Sequence, residues 1–307
     1  METDDDSAED LSDLYRDLNA RFYSASPGRY LHTRWLLPGA MAGNRAGVDA
    51  LLSEGAQFQD LVFTATTEPI DGHCSHEHVA YVVTESQALL HHASETLLRL
   101  AFAHMDKPSC PWMEIARLRL PGTFKHRVQV TLTWPSSRLD RLAGFLFAGD
   151  PSSEAGLSCG RAMARLLRAA SREVTERAVI YKSVKHGLSV VAGESALWFF
   201  SENDPEPTPA GGTGPSITYL DSLETLEDRE WSEHTEWIDL RSSLLLTRLL
   251  IMVIEAMWSI AAASYAGSAL GQVMLPTKEA VDAALLETGR DHGLVRWRRG
   301  LLVELPS

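Results

Sequence analysis

Between residues 84 and 104, Leu89, Leu90, Ala93, Thr96, Leu97, Leu100 and Ala101 recur at steps of three and four. That is the period of a helix that buries one stripe of side chains. Leu11, Leu14, Tyr15, Leu18 and Phe22 repeat it over residues 11–23, and residues 48–58 continue the helical style after Gly and Pro interruptions. Residues 152–186 read as one long helix or two nearly collinear ones. Pro151 precedes it, Ser152 and Ser153 are N-cap candidates, and Gly187 stands where a left-handed C-cap belongs. Residues 240–266 predict a long apolar helix and residues 277–286 a final one.

The period changes to that of a strand at residues 188–191 and 196–201, on either side of Gly193, and again at 216–220. A small hairpin or sheet is expected there. The run SENDPEPTPAGGTGP lies between these segments and offers too little apolar surface to order itself, so residues 202–215 are expected to form a flexible loop. The fold class that follows is mainly α. It is a helical bundle built around residues 84–104, 152–186 and 240–266, with a small β insertion at about 188–239. Residues 11–307 are expected to form this single helical domain, after a disordered acidic tail at 1–10. No internal repeat interrupts it.

Composition agrees with a folded chain: 45% of the 307 residues are hydrophobic, including 8 Trp, enough to bury a large core. Cys74, Cys110 and Cys159 are odd in number and widely spaced, which suggests a reducing compartment. The opening METDDDSAED has acids and no apolar run, unlike a targeting peptide, and a cytoplasmic location is expected. The 240–266 segment is long enough to span a bilayer, but Arg241, Arg248 and Glu255 would be costly in lipid. A buried helix is expected in its place, with no membrane partner.

The net charge of −13 speaks against nucleic acid until its distribution is considered. Residues 1–13 hold seven acids and no base, and residues 202–239 hold eleven acids against Arg229. Setting those eighteen acids and one base aside leaves 23 acids and 27 bases in the remaining chain. Residues 114–186 are the most basic part, with thirteen Lys or Arg against six acids. An anionic partner is therefore compatible with the low pI.

On a helical wheel Arg161, Arg165, Arg168 and Arg172, spaced four, three and four, fall within about 60° of one another. If the helix runs unbroken, His186 joins that stripe with Lys182 beside it, while Met163, Leu167, Ala170, Val174, Tyr181 and Val184 face the other way. Arg177 falls into the apolar stripe. It needs a buried carboxylate or a kinked helix. Glu255, on the apolar 240–266 helix, has the converse difficulty, and a buried Arg177–Glu255 ion pair would resolve both.

The segment Tyr181-Lys182-Ser183-Val184-Lys185-His186-Gly187, at a helix end and followed by strand-like sequence, resembles the Y-N-x-x-K-H-G style of segment in HEPN-like helical proteins. That superfamily includes bacterial toxin and abortive-infection ribonucleases. The resemblance covers these seven residues and the general helical layout. It implies RNA binding, with metal-independent cleavage of the phosphodiester and a role in bacterial defence. Active members carry an Arg followed after four to six residues by His, whereas eight residues separate Arg177 from His186 here, and position 182 is Lys in place of Asn. The expected catalytic pair is Lys182 and His186, one turn apart, with His186 as general acid or base and Lys182 stabilising phosphate charge. Arg161, Arg165, Arg168, Arg172 and Lys185 are the expected RNA contacts, and no cofactor is called for. The competing expectation is a non-enzymatic regulatory protein whose acidic segments engage a protein partner.

Three other constellations carry chemistry. Asp71-Gly-His73-Cys74-Ser-His76-Glu77-His78 gathers possible metal ligands, His73, His76 and His78 foremost, in what reads as a polar loop. His91, His92 and Glu95 share a helical turn but lack the Glu-x-x-His that would complete a di-iron set. Cys110 has no nearby base to activate it and is expected to be a buried structural thiol. P-loop, dinucleotide-binding and G-x-S-x-G signatures are missing from the sequence.

Overall fold

The computed structural model describes residues 5–43, 56–58, 61–63, 74–120, 122–135, 153–186, 190–199, 210–224, 229–286 and 296–301. The described chain is mainly helical, with one four-stranded antiparallel sheet and a separate two-stranded pair. In chain order the elements are α1 (Asp5–Phe22), α2 (Pro27–Gly43), β1 (Ala56–Phe58), β2 (Leu61–Phe63), α3 (Cys74–His104), α4 (Pro111–Arg117), α5 (Thr123–Thr131), α6 (Glu154–Glu176) and α7 (Ala178–His186). They continue with β3 (Val190–Phe199), β4 (Ala210–Glu224), β5 (Arg229–Trp237), α8 (Leu240–Ala266), α9 (Lys278–Leu286) and β6 (Arg296–Leu301).

Two compact units divide these elements. The first draws on Met1–Thr33, Leu90–Ala178 and Leu245–Leu285. Its fully buried side chains include Leu97, Leu98 and Leu100 of α3, Met163, Leu166 and Leu167 of α6, and Leu250, Ile251, Val253 and Ile254 of α8. Helix α5 packs on α6. It starts at Gly122, whose φ of 78° is left-handed and suits glycine. Phe124 of α5 meets Phe102 of α3 edge-on, and the Arg99 guanidinium lies 4.1 Å from the Phe124 ring centre.

The second unit draws on Arg34–Leu89, Val179–Leu244 and Leu286–Ser307. Its sheet runs β3-β4-β5-β6, every pair antiparallel. Ile217 and Tyr219 alternate on β4 and pack with Val83 of α3, Ile180 and Val184 of α7, and Ile238. Glu236 is buried on β5 and accepts a hydrogen bond from the Tyr219 hydroxyl at 3.1 Å, which offsets part of its desolvation. Strand β6, RWRRGL, pairs with acidic β5 in a register that sets Arg299 opposite Glu233 and Arg296 opposite Glu236. Opposite charges across a ladder favour that register.

Of the two N-cap candidates before α6, it is the Ser153 side chain that accepts from the Gly156 N–H, at 3.1 Å. Asp239, not singled out from the sequence, accepts from the Ser242 N–H at 3.0 Å at the start of α8. Helix α8 is long and apolar enough to cross a membrane by length and composition, and two thirds of its most apolar window is buried within the protein.

Several sequence expectations are corrected. Helix α1 begins at Asp5, so residues 5–10 are helical and not a disordered tail; their acids sit at a helix N-terminus, where the macrodipole favours them. Residues 56–58, expected to be helical, form β1, while residues 48–55 lie outside the described residues. Residues 74–78 are the first turns of α3 and not a loop. Of the loop expected at 202–215, residues 210–215 belong to β4 and pair with Glu194–Phe199 of β3, because three glycines there leave the ladder sterically free; residues 202–209 lie outside the described residues. Strand β3 runs straight through Gly193, which pairs with Ser216. The sheet also takes in β6, so the β region is not confined to 188–239.

Leu97 is fully buried on α3. Leu97→Ala is expected to cost about 3 kcal/mol of unfolding free energy, measured by urea titration, through lost transfer energy and a residual cavity.

Candidate functional site

The wheel that would carry His186 onto the arginine stripe holds only as far as Glu176. Arg177 has φ −108° and ψ 13°, outside the helical region, and caps α6. Its neighbouring carboxylate is Glu173, one turn back, at 3.7 Å, and not Glu255 as the sequence suggested. Glu173 also lies 3.6 Å from Nδ1 of His91, and both Glu173 and His91 are buried. The helix breaks at Arg177 and a buried carboxylate stands beside it, with Glu173 in the role expected of Glu255. Glu173 occupies the same apolar stripe as Leu166 and Ala170 at steps of three and four, and that spacing was its only signal in the sequence.

The four stripe arginines lie on α6, in the first unit. Arg161 and Arg172 are exposed and Arg168 is half-buried. Arg165 is tied to Asp282 of α9, which also receives the Lys278 ammonium at 2.5 Å. These two cations, Lys278 first, hold the Asp282 carboxyl below its ordinary value. Arg165 is thereby neutralised. Arg161, Arg168 and Arg172 form no ion pair among the described residues. On the adjoining α5, Lys125, His126 and Arg127 are exposed, and Lys125 and Arg127 are likewise without a carboxylate among the described residues. Two packed helices thus carry at least five unneutralised cations. Arg161 and Arg172 are about 16 Å apart along the helix axis at 1.5 Å per residue.

Lys182 and Lys185 are exposed on α7, which belongs to the second unit. His186 closes that helix, and its side chain lies outside the described residues. His73 lies outside the described residues, as do the side chains of His76 and His78 on α3. Among the described residues no group of three His, Cys, Asp or Glu converges in a way that could hold a metal. The remaining polar turn of α3 serves packing: Glu95 binds Arg99 at 2.5 Å, and His92 meets the Tyr30 ring edge-on. Cys110 is buried at the N-cap of α4.

A second concave feature lies wholly in the first unit, beside α8. It has a volume of about 460 Å³ and is lined by Arg248, Met252, Glu255 and Ser259 of α8, by Arg29 of α2 and by Gln272. Gly28 lets α2 approach here, since a Cβ on it would lie 2.4 Å from Cγ of Glu255. Close by, the His104 ring accepts the Tyr23 O–H at Nε2 and donates from Nδ1 to the Leu100 carbonyl, both at 2.6 Å. The carbonyl can only accept, which fixes this tautomer. Burial pushes the His104 imidazole below its ordinary value, partly opposed by the Leu100 bond, and pushes the Tyr23 phenol up.

The chain matches no family model, no curated protein and no solved structure.

The His104 shift sets an acid limit on stability. The unfolded chain takes up this proton near pH 6.5 and the folded chain only at a lower pH, so the unfolded state binds more protons between the two values. Stability from this group is full above about pH 6.5 and is lost as pH falls through that value towards the folded one. Urea midpoints recorded from about pH 8 to about pH 5 are expected to decline on the acid side, and less steeply in His104→Gln.

Proposed function

We propose that the protein binds single-stranded RNA through the basic faces of α5 and α6, as an electrostatic contact to the phosphate backbone. The observation that carries this reading is the group Arg161, Arg168, Arg172, Lys125 and Arg127, which is accessible and unneutralised by carboxylates among the described residues. An unpaired guanidinium presents planar donors suited to phosphate oxygens. The chain as a whole is acidic, so a local cationic face of this kind also orients a polyanion on the surface. Arg165 is excluded from the contact by Asp282, which distinguishes this reading from one drawn on the full arginine stripe.

The likeness to HEPN-like ribonucleases adds cleavage as a finer proposal. Lys182 is exposed, as a cation approaching a phosphodiester must be, and His186 would act as the acid or base. Binding and cleavage separate experimentally, because the arginines and the Lys182–His186 pair lie on different helices.

Replacing Arg161, Arg168 and Arg172 together by Gln is expected to weaken binding to a fluorescent single-stranded RNA. It should also lower the slope of log Kd against log salt by about 2, since each phosphate contact on a single strand contributes roughly 0.7. Circular dichroism should be unchanged, the three side chains lying on the outer face. Unaltered affinity and slope would remove the proposal, and capture of a basic protein in place of RNA would favour the acidic segments as the working surface. His186→Ala is expected to abolish cleavage of the same RNA while leaving its binding intact.

A further inference from the structure

Helix α8 is apolar along most of its length, yet Arg248 and Glu255 stand two turns apart on one of its faces and line the same cavity. Seven residues return the wheel to within about 20° and separate the two Cα atoms by about 10 Å. No ion pair joins the two, and neither side chain has an ionic or hydrogen-bonded partner among the described residues. Nη1 of Arg248 is buried with no acceptor. That nitrogen is covered by protein, so it is the rest of the half-buried Arg248 side chain that lines the cavity. Between the two charges, at the intermediate step on the same face, lies Met252. The sequence from positive end to apolar middle to negative end is therefore built into one helical face. Arg29 and Gln272 add polar groups at the rim.

We infer that this cavity is a binding site for a small zwitterion of dipeptide length, its carboxylate at Arg248, its ammonium at Glu255 and an apolar side chain against Met252. The volume of about 460 Å³ is within the range of small-molecule sites. An extended dipeptide spans roughly 7 Å at up to 3.6 Å per residue, a length of the same order as the separation of about 10 Å between the two Cα atoms. A simple anion would match the cations Arg248 and Arg29 of the lining but offer nothing to Glu255. An apolar ligand would match none of the three charges. This site is independent of the basic faces of α5 and α6.

The test uses full-length protein and three probes: the dipeptide Ala-Leu, its N-acetyl derivative and its C-terminal amide, with binding followed by saturation-transfer NMR and by thermal shift. Ala-Leu is expected to bind and to raise Tm, while acetylation or amidation weakens binding at least tenfold. Glu255→Gln should weaken Ala-Leu by a similar factor yet leave the N-acetyl form unaffected, because that form has no ammonium to lose. Arg248→Gln should show the converse pattern with the amide. The ligand derivatives act on unaltered protein, so the test survives a variant that fails to fold. No binding of Ala-Leu at millimolar concentration, or equal binding of all three probes, would overturn the inference, as would inorganic phosphate raising Tm as much as Ala-Leu does.

Discussion

A carboxylate buried among helices is costly unless a cation stands near it, and Glu173 has the Arg177 guanidinium at the end of its own helix 3.7 Å away, with Nδ1 of His91 on α3 3.6 Å away. Arg177 itself has φ and ψ outside the helical region, and there α6 stops and α7 starts afresh at Ala178. Removing Arg177 would leave the buried Glu173 carboxylate without its neighbouring guanidinium, which makes this a costly place to alter.

That break falls at the boundary between the two units. Upstream of it, Arg161, Arg168 and Arg172 share a rigid helix with α5 packed alongside, and their charges are available because the nearby acid, Asp282, is committed to Arg165 and Lys278. Downstream, Lys182 and Lys185 belong to the unit built around the sheet, where Ile180 and Val184 of α7 pack with Ile217 and Tyr219. The low overall pI and the local basic face coexist because the acids are concentrated elsewhere in the chain, at α1, along β5 and on either side of it.

The main helices were legible because their apolar spacing is long and regular: α8 was read with the bounds it has, and the apolar stripes of α3 and α6 are the buried ones. The cap at Ser153 follows from short-range chemistry that a sequence exposes directly, whereas the one at Asp239 was passed over beside the long apolar run. Strand β6 was not legible, since RWRRGL is neither apolar nor alternating and becomes a strand by pairing with β5. Helices α4 and α5 are too short for periodicity to declare them, and α2 was obscured by Pro38 and its glycines. The cavity beside α8 was invisible for a different reason. Arg248 and Glu255 read as isolated anomalies on an apolar helix, and only the approach of α2 at Gly28 shows that they border one space.

The central claim is that arginines on one face of α6 meet RNA phosphates while Arg165, on the same stripe, does not. Arginine-selective modification with phenylglyoxal, read residue by residue by mass spectrometry with and without a single-stranded RNA, tests it directly. The account predicts that RNA shields Arg161, Arg168 and Arg172 and leaves the slow reactivity of Arg165 unchanged. RNA that binds while those three arginines stay as reactive as before would contradict it.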